Sequence, residues 1–278
     1  MNEIEFLKSA LQEDVAEGDH SSLSTIPSSA KGKAHLLVKE AGIISGIDVA
    51  KKVFDLVDPD IQLEIFIRDG DQVSSGDIVF IASGSSQNLL KAERLMLNLM
   101  QRMSGIATTT HKYVQLTAGT KAKVLDTRKT TPNLRAFEKQ AVVHGGGTNH
   151  RFGLYDMIMI KDNHIDFAGG IAEALTKAHN YIKKNKLELK IEIEARDLDE
   201  VRQVLDCGLG DRIMLDNFNY EDTRIAVELI NGQYETESSG GITLDTIANY
   251  AKCGVDYVSV GALTHSVKSL DLSFKAIN

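Results

Sequence analysis

The sequence predicts two regions of different make-up, an α+β module followed by a closed or nearly closed α/β barrel. Three observations carry that expectation. Up to about residue 84, short strand-like runs mix with turn-forming pieces. A strong Leu- and Met-rich helix follows. From about residue 120, apolar β-rich runs alternate with helix-like segments, and a glycine often stands at the helix end, which is the signature of parallel βα units.

In the first region Lys33 to Val38, Ile61 to Ile67 and Ile78 to Ala82 read as strands. Asp69-Gly70-Asp71 and Ser74-Ser75-Gly76-Asp77 read as hairpin connections, because glycine and aspartate favour tight turns. Residues 44–57, ISGIDVAKKVFDLV, read as a helix. Residues 87–103, QNLLKAERLMLNLMQRM, read as a mostly buried helix. On it Arg94, Asn98, Gln101 and Arg102 fall at helical spacing and form one polar stripe. Spacing alone favours a solvent-facing side over a stripe turned to a cleft or a subunit contact.

The later strands are expected at 122–126, 157–160, 190–194, 212–215, 234–238 and 255–260. Several are apolar on both faces, as strands covered on both sides are. Six such units point to a barrel. An open doubly wound sheet is the alternative, and no GxGxxG follows the first strand to support its dinucleotide-binding form.

Composition bounds the function. The chain has 278 residues, a formal net charge of −8, 42% hydrophobic residues and 25% charged ones. A general binder of nucleic acid or of anionic membranes is disfavoured. Any anion must be met by a local cluster. Cys207 and Cys253 are too far apart for metal spacing and read as reduced thiols. The acidic start, MNEIEFLKSALQEDVAEGD, has no basic or apolar signal region, so a cytoplasmic protein is expected.

In a parallel barrel the active site collects where the strands end. The runs end in Asp126-Thr127-Arg128-Lys129, Lys161-Asp162-Asn163-His164, Glu194, Asp216-Asn217, Ser238-Ser239-Gly240-Gly241 and Gly261-Ala262-Leu263-Thr264-His265. Arg128, Lys129, His150, Arg151 and Lys161 supply positive charge, and so many cations on one rim imply a polyanionic ligand. Pairing with Glu138, Asp156 or Asp162 could absorb only one or two of them. Glu194 and Asp216 suit ligand hydroxyls or a Mg²⁺ that also holds a phosphate. The Glu192/Glu194 alternation is read as sending one of the pair elsewhere, and Glu194 is chosen. The Ser239-Gly240-Gly241 loop and Gly261 suit a phosphate, with a following helix N-terminus adding positive potential. The residues thus point to a phosphorylated sugar and a carboxylate-rich partner.

These segments also carry a resemblance. TRKTTPNLR (127–135), HGGGTNHRFGLYDMIMIKDNHI (144–165), IEIEA (191–195), IMLDNF (213–218), ESSGGI (237–242) and VGALTHS (260–266) stand in order, after ALQEDVAEGD (10–19) and AERLMLNLMQRMSGIAT (92–108). Over nearly its whole length the chain closely resembles the quinolinate phosphoribosyltransferases, also called nicotinate-nucleotide pyrophosphorylases (carboxylating). Small departures stand at Gly18-Asp19-His20-Ser21-Ser22, where the family commonly has one residue and then Thr after Gly-Asp, and at Arg102, where members vary.

The resemblance implies an N-terminal α/β sandwich domain over 1–108 and an incomplete, seven-stranded type of α/β barrel over 109–266, with 267–278 packing back near the first. It implies transfer of a phosphoribosyl group to quinolinate with loss of CO2, in NAD biosynthesis, using Mg²⁺. It implies a homodimer in which Arg94 reaches the partner's site. Quinolinate contacts carry over to Arg94, Arg128, His150, Arg151 and Lys161. Contacts with phosphoribosyl pyrophosphate carry over to Lys129, Glu194, Asp216, Ser239, Gly240, Gly261 and His265, beside which Thr127 and Gly241 stand on the same loops. Lys129, Glu194 and Asp216 are the expected catalytic residues, and Glu194 and Asp216 the expected Mg²⁺ ligands, direct or through water.

Three rivals are weighed. A homologue on the same fold could use nicotinate or belong to the molybdenum-transport-associated group, but a monocarboxylate needs fewer cations. An aldolase or decarboxylase could use Lys129 or Lys161 as a Schiff base, but wants a desolvated lysine away from other cations. A non-catalytic binding protein would not need Glu194, Asp216 and both phosphate loops together.

Overall fold

A computed structural model describes residues 2–277. Along the chain come α1 (Glu3–Val15), α2 (His20–Thr25), β1 (Lys31–Val38), β2 (Gly42–Ile43), α3 (Ile47–Val57), β3 (Gln62–Ile65), β4 (Gln72–Val73), β5 (Ile78–Ser85) and α4 (Ser86–Leu116). Then follow β6 (Lys123–Leu125), α5 (Arg135–His144), β7 (Ile158–Ile160), α6 (Asp162–Ala168), α7 (Ile171–Asn185), β8 (Ile191–Ala195), α8 (Leu198–Cys207) and β9 (Arg212–Asp216). The last are α9 (Tyr220–Ile230), β10 (Glu235–Ser239), α10 (Ile247–Lys252), β11 (Tyr257–Ser259), α11 (Ala262–His265) and β12 (Leu272–Ile277). Among the described residues, no helix is long and apolar enough to cross a membrane.

The chain divides into two compact units. The first runs up to His111 and adds Thr130–Gly146 and the stretch from Thr264 onward. The second comprises Lys112–Lys129 and Gly147–Leu263.

The first unit is built on an antiparallel sheet in the order β12-β1-β5-β3. Its first helix starts at a capping box: Asn2 Oδ1 accepts from the Glu5 amide at 2.9 Å, and the Asn2 amide donates to Glu5 Oε2 at 2.8 Å. Asp19 caps α2 by accepting from the Ser22 amide and hydroxyl. Ala34, Leu36 and Val38 alternate inward along β1. Phe54 of α3, Phe80 of β5 and Phe274 of β12 meet with ring centroids 6.1–6.4 Å apart.

The two expected hairpins do not form. The turn at 74–77 joins β4 to β5, but β4 pairs with β2, and β5 with β1 and β3. The excursion has a local reason. Asp69 Oδ1 accepts from the amides of Gly46 and Ile47 at 2.7 and 3.0 Å. That supplies the cap which Gly46, without a side chain, cannot give α3. The loop is therefore drawn toward the helix start instead of folding back on β3.

Helix α4 runs well past the expected end at residue 103. Gly105 does not stop it, and a Cβ there would lie 2.3 Å from the Lys268 carbonyl oxygen. This glycine is needed for close chain approach. The polar stripe splits. Arg94 and Asn98 are exposed. Gln101 donates to the Leu272 carbonyl at 2.8 Å, and Arg102 donates to Glu138 Oε1, Thr131 Oγ1 and the Thr264 carbonyl.

The second unit is a six-stranded parallel sheet in the order β6-β11-β10-β9-β8-β7. A single parallel bridge at Thr148 lies against Leu125 of β6 and adds a rudimentary seventh rung. Helices α7, α8 and α10 pack on strands β7, β8 and β11, giving the barrel-like α/β arrangement. The strands lie within two residues of their expected bounds.

Phe80 is fully buried between the other two rings. Phe80→Ala is expected to cost about 3–5 kcal/mol. Urea denaturation should show the midpoint falling accordingly, and a loss below about 1 kcal/mol would mean the three rings are not the centre of this core.

Candidate active site

Residues two apart on a strand share a face, and the parallel register turns that rule into rows. On one face Glu192, Arg212 and Glu235 are mutual partners across β8, β9 and β10. Above them come Glu194, Met214 and Glu237, and Tyr257 pairs with Glu237. Asp216 pairs with Ser239 above those. Lys161 follows β7 two residues after Met159, the partner of Glu192. Gly261 follows β11 two residues after Ser259. Lys161, Glu194, Asp216, Ser239 and Gly261 thus end five neighbouring strands on one face.

The alternation reading of Glu192 and Glu194 needs correction. Both carboxylates point to the same face, and depth separates them. Glu194 stands at the rim, where Oε2 accepts from Lys161 Nζ at 3.0 Å. Glu192 lies below, fully buried. Lys161 therefore pairs with a neighbouring strand end instead of Asp162.

Asp216 Oδ2 accepts from the Asn217 side-chain amide at 2.7 Å. Asn217 has a positive φ of 56°, and its backbone amide donates to the Ser239 carbonyl at 2.9 Å. Gly240 fits against it with a φ of 98°, and a Cβ there would lie 2.1 Å from Asn217 Oδ1 and 2.9 Å from its backbone nitrogen. Only glycine meets both conditions. Helix α10 begins at Ile247, several residues beyond Gly241, because a turn closed by Thr243 and Thr246 intervenes. The loop amides at Gly240 and Gly241, and not a helix N-terminus, are what this loop offers an anion.

Of the cations, Arg128 and Lys129 are exposed and follow β6, while Arg151 is half-buried. Burial and then the charge of Arg128 hold the Arg151 guanidinium below its usual range. Neighbouring guanidinium groups suit a ligand carrying several negative charges. Arg151 Nη1 also reaches the Met157 carbonyl at 3.5 Å. Asp156 accepts from the amides of Phe152 and Gly153.

The remaining basic groups of 144–165 have other work. His144 lies in the first unit, with Nδ1 2.8 Å from Ser45 Oγ. His164 Nδ1 accepts from the Lys161 amide at 2.9 Å and starts α6. Gly145 is not a flexible link, since a Cβ there would lie 2.4 Å from the Ala107 carbonyl.

His150 is buried. Its amide donates to Asp126 Oδ1 at 2.8 Å, and its Nδ1 accepts from the Arg151 amide at 2.6 Å. Its Nε2 lies 3.2 Å from Glu192 Oε2 and 3.3 Å from Glu237 Oε2. Arg212 Nη1 stands 3.1 Å from Glu237 Oε2 and 3.6 Å from Glu192 Oε2. Strand-end reasoning missed Glu192, Arg212 and Glu237. The same period of two, carried down each strand, finds them.

Arg94 and His265 belong to the first unit and are exposed there. His265 Nδ1 lies 2.6 Å from Ser266 Oγ.

The model of the quinolinate phosphoribosyl transferase N-terminal domain matches residues 19–104, and that of the C-terminal domain matches residues 106–275. The chain belongs to the quinolinate phosphoribosyl transferase family. It is 46% identical over 286 aligned residues to the tobacco (Nicotiana tabacum) "quinolinate phosphoribosyltransferase [decarboxylating] 2b, mitochondrial", covering 98% of this chain and 81% of that one. It is 43% identical to the "probable nicotinate-nucleotide pyrophosphorylase [carboxylating]" of Bacillus subtilis, covering 94% and 89%. The crystal structure of NadC from Streptococcus pyogenes superposes with a TM-score of 0.93 at 42% identity, covering 99% of this chain and 96% of that one. Human nicotinic acid phosphoribosyltransferase, 8% identical with a TM-score of 0.63, shares the fold alone.

In this member of the quinolinate phosphoribosyl transferase family, the buried cluster carries a pH signature. Burial opposes the His150 cation, but Glu192 and Glu237 outweigh it and push the imidazole up to about 9. Burial and then the charge of Glu237 also raise Glu192. The folded cluster keeps a proton that an unfolded histidine releases above 6.5. Stability should therefore fall as pH rises from about 6.5 to about 9, by on the order of 3 kcal/mol. Urea denaturation of wild type and His150→Asn across that window tests this, and equal slopes for the two would exclude it.

Proposed function

We propose that this protein is a decarboxylating quinolinate phosphoribosyltransferase. It joins quinolinate to phosphoribosyl pyrophosphate in NAD biosynthesis, yielding nicotinate mononucleotide, pyrophosphate and CO2. The observation that carries the reading is the row Lys161, Glu194, Asp216, Ser239 and Gly261, in a chain whose two family matches span almost its whole length.

In this reading Arg128, Arg151 and Lys161 hold the two carboxylates of quinolinate, with His150 beneath them. Guanidinium groups offer paired donors in the geometry a carboxylate needs. Arg94 of a second subunit completes the set, which makes the working form a homodimer. The loop Ser239-Gly240-Gly241 and Gly261 receive the 5-phosphate through backbone amides. Thr127, on the loop after β6, stands beside the phosphoribosyl pyrophosphate. Lys129 meets the departing pyrophosphate as a point charge.

Attack by the pyridine nitrogen on the anomeric carbon builds positive charge on the ribose. Glu194 and Asp216 stand where a carboxylate can stabilise it. They also fit a Mg²⁺ that arrives with the substrate. Glu194 commits Oε2 to Lys161 and Asp216 commits Oδ2 to Asn217, so each keeps one oxygen. Two carboxylates with substrate oxygens suit Mg²⁺ better than an all-protein cage does. When bound, the ion would neutralise pyrophosphate charge. After transfer the ring is a pyridinium, which stabilises the electron pair left on the ring carbon as the adjacent carboxylate departs as CO2, and a proton from water then takes up that pair. No Schiff-base lysine is needed, and Lys161 is held in an ion pair. The two free thiols suit a reducing compartment, and we place the activity in the cytoplasm.

Quinolinate labelled in its 2-carboxylate, phosphoribosyl pyrophosphate and Mg²⁺ should release labelled CO2 and form nicotinate mononucleotide. A parallel reaction with nicotinate should form none, and product there alone would reassign the cations. Arg151→Ala should raise KM for quinolinate by about ten-fold or more, as loss of a charged hydrogen bond does. An unchanged KM would remove Arg151 from the site.

A further inference from the structure

The buried row below the rim is unused by the chemistry so far. Glu192 and Glu237 are fully buried, and Arg212 nearly so. Such groups cost stability that an apolar filling would not. Glu192 Oε1 has no hydrogen-bond partner among the described residues, which adds to that cost. His150, Glu192 and Glu237 are close enough to hold a metal ion, but the Arg212 guanidinium already brings positive charge within 3.6 Å of both carboxylates.

The geometry converges on the imidazole instead. Both carboxylates reach one atom, His150 Nε2. The opposite ring nitrogen receives the Arg151 amide, while the His150 amide is tied to Asp126. A tilt of the ring would break the contacts on both of its sides. We propose that Glu192 and Glu237 are positioning residues for quinolinate: through the His150 ring they fix the main chain from which Arg151 reaches the substrate carboxylate. This rests on the assignment of Arg151 to quinolinate.

The test is a mutant cycle with steady-state kinetics in each substrate. Glu237→Gln keeps the shape and removes the charge. It should raise KM for quinolinate by on the order of ten-fold, as misplaced binding groups do, with KM for phosphoribosyl pyrophosphate changed by less than about two-fold. Combined with Arg151→Ala it should add nothing to the loss in kcat/KM that Arg151→Ala causes alone. Equal losses for both substrates, or losses that add, would mean a general structural role and overturn the proposal. If Glu237→Gln does not fold, Glu192→Gln carries the same test, since Arg212 keeps Glu235 and Glu237. If neither folds, the cluster is structural and the proposal is wrong. If Arg151→Ala leaves quinolinate KM unchanged, the site assignment itself fails and the proposal falls with it, an outcome distinct from additivity.

Discussion

Buried charge in the interior of the second unit is the constraint on which its other features rest. Arg212 stands at the centre of it. Its guanidinium meets Glu192, Glu235 and Glu237, and its central carbon lies 4.1 Å from the centroid of the Tyr257 ring, a favourable place for a cation. None of these groups can be removed alone without leaving an uncompensated buried charge. The cluster also ties β8, β9 and β10 to one another through side chains as well as through the backbone. A slip of one residue in any of them would turn its charges outward to the helix-covered face. The network therefore specifies strand register, and register places Glu194, Asp216 and Ser239 in one neighbourhood.

That dependence explains how much of the site was legible. Reading the residue that ends each apolar run found Lys161, Glu194, Asp216, Ser239 and Gly261, because parallel strands deliver their ends to one side. The reading stopped at the rim. Glu192, Arg212 and Glu237 stand two or four residues further back on the same strands. A charge inside a β-run ordinarily marks an outward position, and here it marks an inward one. Glu192 and Glu194 follow the same rule, since a period of two puts both on one face.

What was not legible depended on long-range contacts. Strand β12 pairs with β1 in register from Lys33–Ile277 to Val38–Leu272, and nothing in LSFKAI names a partner more than two hundred residues away. Helix α5 lies in the middle of the barrel sequence yet groups with the first unit. Its glutamate, Glu138, is buried against Arg102 and the Thr131 amide. The polar stripe on α4 could not be resolved from its spacing, because two members are exposed and two are bonded within the unit. Only the partner groups decide which.

The segment 144–165 shows how few residues can serve several demands. Gly145 lets α5 end against the Ala107 carbonyl. The chain then enters the second unit, where Thr148 bridges to Leu125 and Asp126 holds the His150 amide. Arg151 is gripped from both sides. On one side His150 accepts its amide. On the other, Asp156 accepts from the amides of Phe152 and Gly153 at 2.6 and 2.8 Å. A long, flexible guanidinium side chain thus springs from backbone fixed before any ligand arrives. Binding then has only the side chain to order, which lowers the entropic cost. The buried carboxylates, the histidine and the aspartate turn share that one task, although none of them needs to touch the substrate.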